Sequence, residues 1–155
     1  MGPLVPHRSV DPFDVDLFLA RPLVARVAAG GPSIRPVWYL WEGGAFWWIT
    51  GPYAAALLNA IEMNARLALV VDSCDLRTGE VLKVTAEGMA ETKPFNRELA
   101  KRLLTRYLGP IVEVWDGRFR STLFEESGET LIRLAPDSLS ARDLSFSVGS
   151  DRGEA

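Results

Sequence analysis

An apolar hairpin in the first third of the chain constrains the fold more than any other feature. Residues 33–41 alternate as a strand does, and the two faces carry Ile34, Pro36, Trp38 and Leu40 against Arg35, Val37, Tyr39 and Trp41. The residues 42–44, Glu-Gly-Gly, are typical of a tight turn, and residues 45–50 return as a second strand. Because large apolar side chains occupy both faces, we expect both faces to be covered.

Composition excludes several classes of protein. The chain has 155 residues, 48% of them hydrophobic, which suits one domain with a single sizeable core. A net charge of −3 gives no field that would attract nucleic acid or an anionic membrane. Cys74 is the only cysteine and His7 the only histidine, so one chain cannot form a disulfide, a multi-thiolate zinc site or a histidine-dependent triad.

Location is predicted from what the sequence lacks. No stretch approaches the roughly 18–20 uninterrupted apolar residues of a membrane span. The first residues also lack the apolar segment of a signal peptide. We therefore expect a cytoplasmic protein that contacts no membrane.

The remaining periodicities predict a mainly β domain with inserted helices. Strands are expected at residues 23–28, 67–72, 80–93 and 130–134, helices near residues 13–18, at 53–62 and between Asn96 and Gly109, and residues 118–123 are ambiguous. Antiparallel hairpins dominate this order, which favours a closed six-stranded antiparallel β-barrel over a doubly wound sheet. The expected organisation is a flexible arm at 1–10, a domain at 11–147 and a disordered tail at 148–155.

Gly88 interrupts the long strand expected at residues 80–93. It lies on the inward face with Val84, Ala86 and Ala90. A glycine inside a strand weakens it, so a compensating reason is expected: a bulge, or the close approach of another backbone or of a ligand. Since side chains should fill the interior of so small a barrel, we favour a bend or close packing over a ligand cavity.

The same hairpin predicts self-association. One barrel interior can cover only one of its two apolar faces, and the other face would form a patch larger than soluble monomers usually expose. We therefore expect a homodimer.

Five segments in the same order resemble the pyridoxamine 5′-phosphate oxidase-like split-barrel family, and most closely an actinobacterial branch that uses FMN or the deazaflavin coenzyme F-420. They span roughly residues 11–146 and read PSIRPVWYL at 32–40 with FWWITGP at 46–52, NARLALV at 64–70, VTAEGMAE at 84–91, RYLGP at 106–110, and LAPD at 134–137 with DLS at 143–145. The resemblance implies a split-barrel fold and a flavin or deazaflavin cofactor bound across a dimer interface.

The resemblance also implies which residues bind the cofactor. The ring contacts would be Arg35, Pro36, Val37, Trp38, Trp48 and Ile49, and the phosphate turn would begin at Thr50 and Gly51. An apolar slot with a few backbone donors and acceptors suits a flavin, and a helix N-terminus suits its phosphate. The chain departs from the family where a lysine usually neutralises the phosphate, because Ala54, Ala55 and Ala56 stand there, or Leu57 if the register slips by one.

Two functions follow from these observations. The first is an oxidoreductase whose reduced cofactor passes a hydride to a small planar organic substrate; no catalytic side chain is assigned, since the cofactor carries the chemistry. The alternative is a non-catalytic split-barrel protein that sequesters a cofactor or a hydrophobic ligand, which the three alanines favour.

Several single features have two interpretations. The four tryptophans Trp38, Trp41, Trp47 and Trp48 could line a ring site or pack a dimer interface. Arg35 could meet the cofactor or be solvated, and the basic run of Arg97, Lys101, Arg102 and Arg106 could capture an anionic tail or form the wet face of a helix. For Cys74 an inert thiol, and for Asp72 with Asp75 solvated loop charge, are preferred to a nucleophile and a metal site.

Overall fold

The structure is a computed structural model that describes residues 11–51, 54–125 and 128–149; the expected arm at 1–10 and residues 150–155 of the expected tail lie outside this part. The helices are α1 (Val15–Leu19), α2 (Ala55–Met63), α3 (Arg97–Leu108) and α4 (Gly117–Phe124), with one 3-10 turn at Val112–Val114. The strands are β1 (Val24–Ala28), β2 (Ile34–Trp38), β3 (Leu40–Glu42), β4 (Ala45–Thr50), β5 (Arg66–Asp75), β6 (Glu80–Lys93) and β7 (Thr130–Asp143). None of the described helices is long and apolar enough to cross a membrane.

The seven strands form one curled antiparallel sheet in the order β2-β1-β5-β6-β7-β4-β3. The mainly β, antiparallel prediction with inserted helices is confirmed, but the expected closed six-stranded barrel is wrong. The reason is Tyr39, where the strand expected at residues 33–41 breaks in two. Its first half pairs with β1 and its second half with β4, so a single stretch of chain forms both edges of an open sheet.

Two side chains of helix α3 supply the hydrogen bonds that the strand ladder lacks at this break. The backbone N–H of Tyr39 donates to the hydroxyl of Tyr107 over 3.0 Å. Arg106 donates to the carbonyl of Tyr39 and also to the carbonyls of Leu19 at 3.0 Å and Arg21 at 2.7 Å. Buried backbone groups must find partners, and here two side chains of one helix supply them.

Pro36 lies where a missing N–H costs no ladder bond. The amide of Ala29 donates to the carbonyl of Ser33 at 3.3 Å, in register with the β1–β2 pairs. Because bonded and non-bonded pairs alternate in an antiparallel ladder, the odd-numbered residues of β2 bond to β1. The polar backbone groups of Ile34, Pro36 and Trp38 therefore point to the free edge. Pro36, which cannot donate to a ladder, thus lies at an edge position, one of the few places in a sheet that tolerate proline.

Two apolar cores lie on opposite faces of the sheet. The inner core holds Tyr39, Phe46 and Trp48, each fully buried. The outer core lies between the sheet and helices α3 and α4, and it includes Leu40 and Leu103. Most of both faces of the hairpin is covered by the same chain, and Ile34 and Pro36 near its start stay exposed. The argument from an uncovered face to a dimer therefore does not hold, although the dimer itself stays a prediction.

The helices that form the outer core begin at side-chain caps. Asn96 accepts from the amide of Leu99 at 3.1 Å, and Gly109, with φ 86°, ends α3. Asp116 accepts from the amide of Arg118 at 2.9 Å and starts α4. The ambiguous segment at 118–123 is therefore helical, and it packs Leu123 into the outer core.

Gly88 lies at a bulge against β7. The pairing register shifts between Glu87 and Gly88. A Cβ on Gly88 would lie 2.5 Å from the carbonyl oxygen of Ala135 and 3.0 Å from the Cα of Pro136. Both expected reasons, a bulge and the close approach of a backbone, are confirmed. Bidentate hydrogen bonds of 2.8 and 3.1 Å join Arg66 to Asp137, the extra residue on the β7 side.

Gly88→Ala is expected to lower the free energy of unfolding by about 1–3 kcal/mol, because the added methyl group meets a backbone carbonyl that cannot retreat without breaking the ladder. Denaturant unfolding measures the change. Gly149→Ala is the matched control, since a Cβ there meets nothing within 4 Å. A Gly88→Ala variant as stable as the parent that no longer binds a flavin would show instead that Gly88 lines a ligand site.

Candidate functional site

The sheet is split between β2 and β4. Strand β3 pairs with β4 only from Ala45 to Trp47, so the rest of β4 has no ladder partner on that side in the described part of the sheet. Gly43 and Gly44, with φ 63° and 72°, form a two-residue hairpin loop, and residues that flank such a loop are hydrogen-bonded to each other. By alternation the backbone N–H and C=O of Ile49 point into the split, opposite the free edge of β2.

An apolar cavity of about 400 Å³ lies at this split, between the outer face of the sheet and helices α3 and α4. Its volume falls within the roughly 300–1,000 Å³ that is usual for small-molecule sites. Its lining is Val24, Pro36, Val37, Trp38, Ile49, Leu103, Leu104 and Phe119. The lining carries no charged side chain, so the polar groups that it offers a ligand are the backbone groups of the two open strand edges.

Four of the eight residues predicted to bind a cofactor surround this cavity: Pro36, Val37, Trp38 and Ile49. The other four do not line it. Trp48 is fully buried in the inner core, and the hydroxyl of Thr50 donates to the carbonyl of Thr130 at 3.2 Å. Arg35 and Gly51 are partly exposed outside the lining. As cofactor-binding residues, all eight stay a prediction.

Sequence reasoning missed half of the lining, namely Val24, Leu103, Leu104 and Phe119. The two leucines belong to the apolar stripe expected on α3, but periodicity shows only that such residues are buried and not what they face. Phe119 lies on the ambiguous segment. A capping signal was present there in Asp116, two residues before Arg118, and it would have indicated the helix.

The tryptophans do not form one wall. Trp38 and Trp47 pack on the outer core, whereas Trp48 and Trp41 face the inner core. Trp38 stacks on Tyr107, with ring centroids 4.5 Å apart and an interplanar angle of 3°, and on Phe119 at 5.2 Å. The Nε1 of Trp48 is buried without a hydrogen-bond partner. It faces away from the cavity, so it gives no support to a ligand there.

The basic run on α3 is largely used by the fold. Arg106 binds three backbone carbonyls, Arg97 donates to the carbonyl of Leu123 at 2.5 Å, and Arg102 pairs with Glu42 at 2.8 Å. Of these four side chains, Lys101 alone makes neither a hydrogen bond nor a salt bridge with a described residue, and it is exposed. Burial raises the pKa of the Tyr107 hydroxyl, so it stays protonated and can donate at neutral pH.

The remaining residues that the sequence offered for chemistry are Cys74, Asp72 and Asp75. Cys74 is exposed, and the described residues contain no group of three or more histidine, cysteine or acidic side chains that could hold a metal. Asp72 pairs with Arg26 at 2.8 Å. The pKa of Asp75 is lowered, chiefly by a hydrogen bond from the backbone N–H of Arg77. Both residues lie on strand β5, so the loop expected for them is wrong, and each carboxylate is bound by a neighbouring group.

The start of α2, where the resemblance places a phosphate, has no cation. Ala54 is the N-cap and makes no side-chain hydrogen bond, and the first turn has no basic residue. Ala55 and Ala56 are exposed, but Leu57 is only 1% exposed and packs in the inner core. A lysine at position 57 would be buried in that core, so the exposed Ala55 and Ala56 fit the position implied by the resemblance better. The residues fit a planar ring, but they supply no side-chain charge for a phosphate.

Comparison with solved structures identifies the fold. The chain is similar to a conserved hypothetical protein of Mycobacterium tuberculosis (TM-score 0.68, 16% identity, covering 94% of this chain and 98% of that one). It is also similar to an FAD-binding protein of Mesorhizobium loti (TM-score 0.59, 18% identity, covering 89% of this chain and 98% of that one). A third similar structure is a protein of Listeria innocua assigned as a pyridoxamine 5′-phosphate oxidase (TM-score 0.54, 12% identity, covering 80% of this chain and 90% of that one).

No protein-family model and no curated protein sequence matches the chain. The structural likeness shows that it shares the fold of the pyridoxamine 5′-phosphate oxidase-like flavin-binding proteins, which confirms the resemblance at the level of fold.

Proposed function

We propose that the chain binds the ring of a flavin or a deazaflavin in the cavity at the split of its sheet. The observation that carries the proposal is the apolar cavity bordered by two open strand edges, in a fold shared with a protein described as FAD-binding. A flat tricyclic ring with one polar edge needs apolar walls and a few backbone donors and acceptors. Pro36 and Trp38 on one side and Ile49 on the other offer both.

We further propose that the bound cofactor makes the protein an oxidoreductase for a small planar organic substrate. A reduced flavin or deazaflavin supplies a hydride when bound. The residues of this chain would orient the ring and exclude water, since the lining offers no side chain that could act as an acid or base at neutral pH. The wholly apolar lining also favours the second candidate, a protein that only sequesters a hydrophobic ligand; mass spectrometry of molecules released on denaturation separates the two.

Ile49→Trp is expected to weaken FMN binding at least about tenfold, because the larger side chain fills space that the cofactor ring would occupy. The variant should still fold, since aromatic residues suit strands. Fluorescence titration with FMN measures the change. Leu17→Trp on α1 adds the same ring at a position that is 70% exposed, and it should leave binding unchanged. Equal affinity in both variants would place the flavin elsewhere, and no binding by the parent chain would contradict the flavin proposal.

Ala56→Lys is expected to tighten binding of FMN about tenfold to a hundredfold by restoring a charge-assisted hydrogen bond to its phosphate. Riboflavin has the same ring without the phosphate, so its affinity should not change. Met63→Lys places the same charge at the far end of α2, where the side chain is 89% exposed, and serves as the control. A gain for riboflavin as well, or none for FMN, would show that the phosphate does not lie at this turn.

The homodimer is also proposed, with the free edge of β2 at the contact. Ile34 is 69% exposed there beside Pro36. Sedimentation equilibrium at micromolar concentration is expected to give a dimer, and Ile34→Arg should shift it toward monomer, whereas Leu17→Arg should not. A monomeric parent chain would contradict the dimer and any cofactor site shared between two copies.

A further inference from the structure

The ladder between β1 and β2 stops one rung early. The pairs run from Ala28 with Ile34 to Val24 with Trp38, and one more step would oppose Leu23 to Tyr39. That step falls on an odd residue of β2, so it would be a hydrogen-bonded pair in which the amide of Tyr39 donates to the carbonyl of Leu23.

The hydroxyl of Tyr107 occupies this rung. It accepts from the amide of Tyr39 at 3.0 Å and donates to the carbonyl of Leu23 at 2.7 Å, so it relays the bond that the two strands would otherwise form directly. The other two groups of the rung are also taken, since Leu23 donates to the carbonyl of Arg21 and Tyr39 accepts from Arg106. The N–H and C=O groups of Leu23 and Tyr39 therefore all have hydrogen-bond partners, although the two strands are held apart.

The Tyr107 hydroxyl, inserted between the ends of β1 and β2, lies directly beside the cavity. Val24 and Trp38, the last pair of the ladder, both line the cavity, and the Tyr107 ring stacks on Trp38. The same helix contributes Leu103 and Leu104 to the opposite wall. One side chain therefore fixes both the end of the strand edge and the orientation of an aromatic wall.

We infer that Tyr107 is a positioning residue that keeps the end of β2 away from β1 and thereby sets the width of the split and the shape of the ligand cavity. This inference rests on the proposed function, because a flavin ring is the ligand whose fit it would control. Without the hydroxyl, the amide of Tyr39 can pair directly with Leu23, which draws Tyr39 and its neighbour Trp38 toward β1. The backbone groups of Trp38 that face the split would then shift away from the ring edge.

Tyr107→Phe tests the inference, because it keeps the ring that stacks on Trp38 and removes only the hydroxyl. Riboflavin is the probe, since its binding does not depend on a phosphate contact. We expect its dissociation constant to rise at least about tenfold. Tyr39→Phe is the matched control: it also removes a buried hydroxyl, but one that points to the inner core and donates to the carbonyl of Arg21 at 3.4 Å. It should leave riboflavin affinity unchanged.

The outcomes are distinguishable. Parent affinity in Tyr107→Phe, or equal losses in both tyrosine variants, overturns the role of Tyr107 while the proposed function stands. A parent chain that binds no riboflavin contradicts the proposed function instead. If Tyr107→Phe does not fold, hydrogen exchange of the Tyr39 amide in the parent replaces it. We expect saturating riboflavin to slow that exchange, and an unchanged rate would overturn the inference.

Discussion

The break at Tyr39, held by Arg106 and Tyr107, is the interaction on which the rest of the structure depends. An uninterrupted strand at residues 33–41 could pair with β1 along one edge and with β4 along the other, which would close the sheet. With the break, the chain leaves β1 at Trp38 and joins β4 at Leu40, so it curls the sheet and covers the inner core. Arg106 offers its donors to three carbonyls, which makes the crossing possible without buried groups that lack a partner.

The same break creates the candidate site. Because β2 and β3 separate at Tyr39, β2 and β4 each have an open edge at this point. Helices α3 and α4 cover the opening with apolar side chains. An open edge is ordinarily a liability, because unpaired backbone groups attract other strands. Here part of that edge faces a cavity instead of solvent. The fold and the proposed ring-binding function therefore have a common cause in one interrupted ladder.

The ring and the phosphate of a flavin such as FMN would meet different surroundings in this arrangement. The cavity and the start of α2 are different places, reached by successive residues of β4 and the turn after it. The first has apolar walls and open backbone groups, and the first turn of the second has no basic residue. The proposed ring site and the implied phosphate site can therefore be tested separately, which is why FMN and riboflavin are informative as a pair.

The alternating faces of the hairpin and the cap of α3 at Asn96 can be predicted from the sequence, because each depends on local backbone geometry. Gly88 predicts a bulge or a close approach, but not that β7 supplies the approaching backbone. The tertiary structure decided what covered the second apolar face, since a pattern shows that a surface is buried but not by what. It also decided that Tyr39 ends a strand. That break depends on a hydroxyl 68 residues away in the chain, and no local propensity of residues 33–41 encodes it.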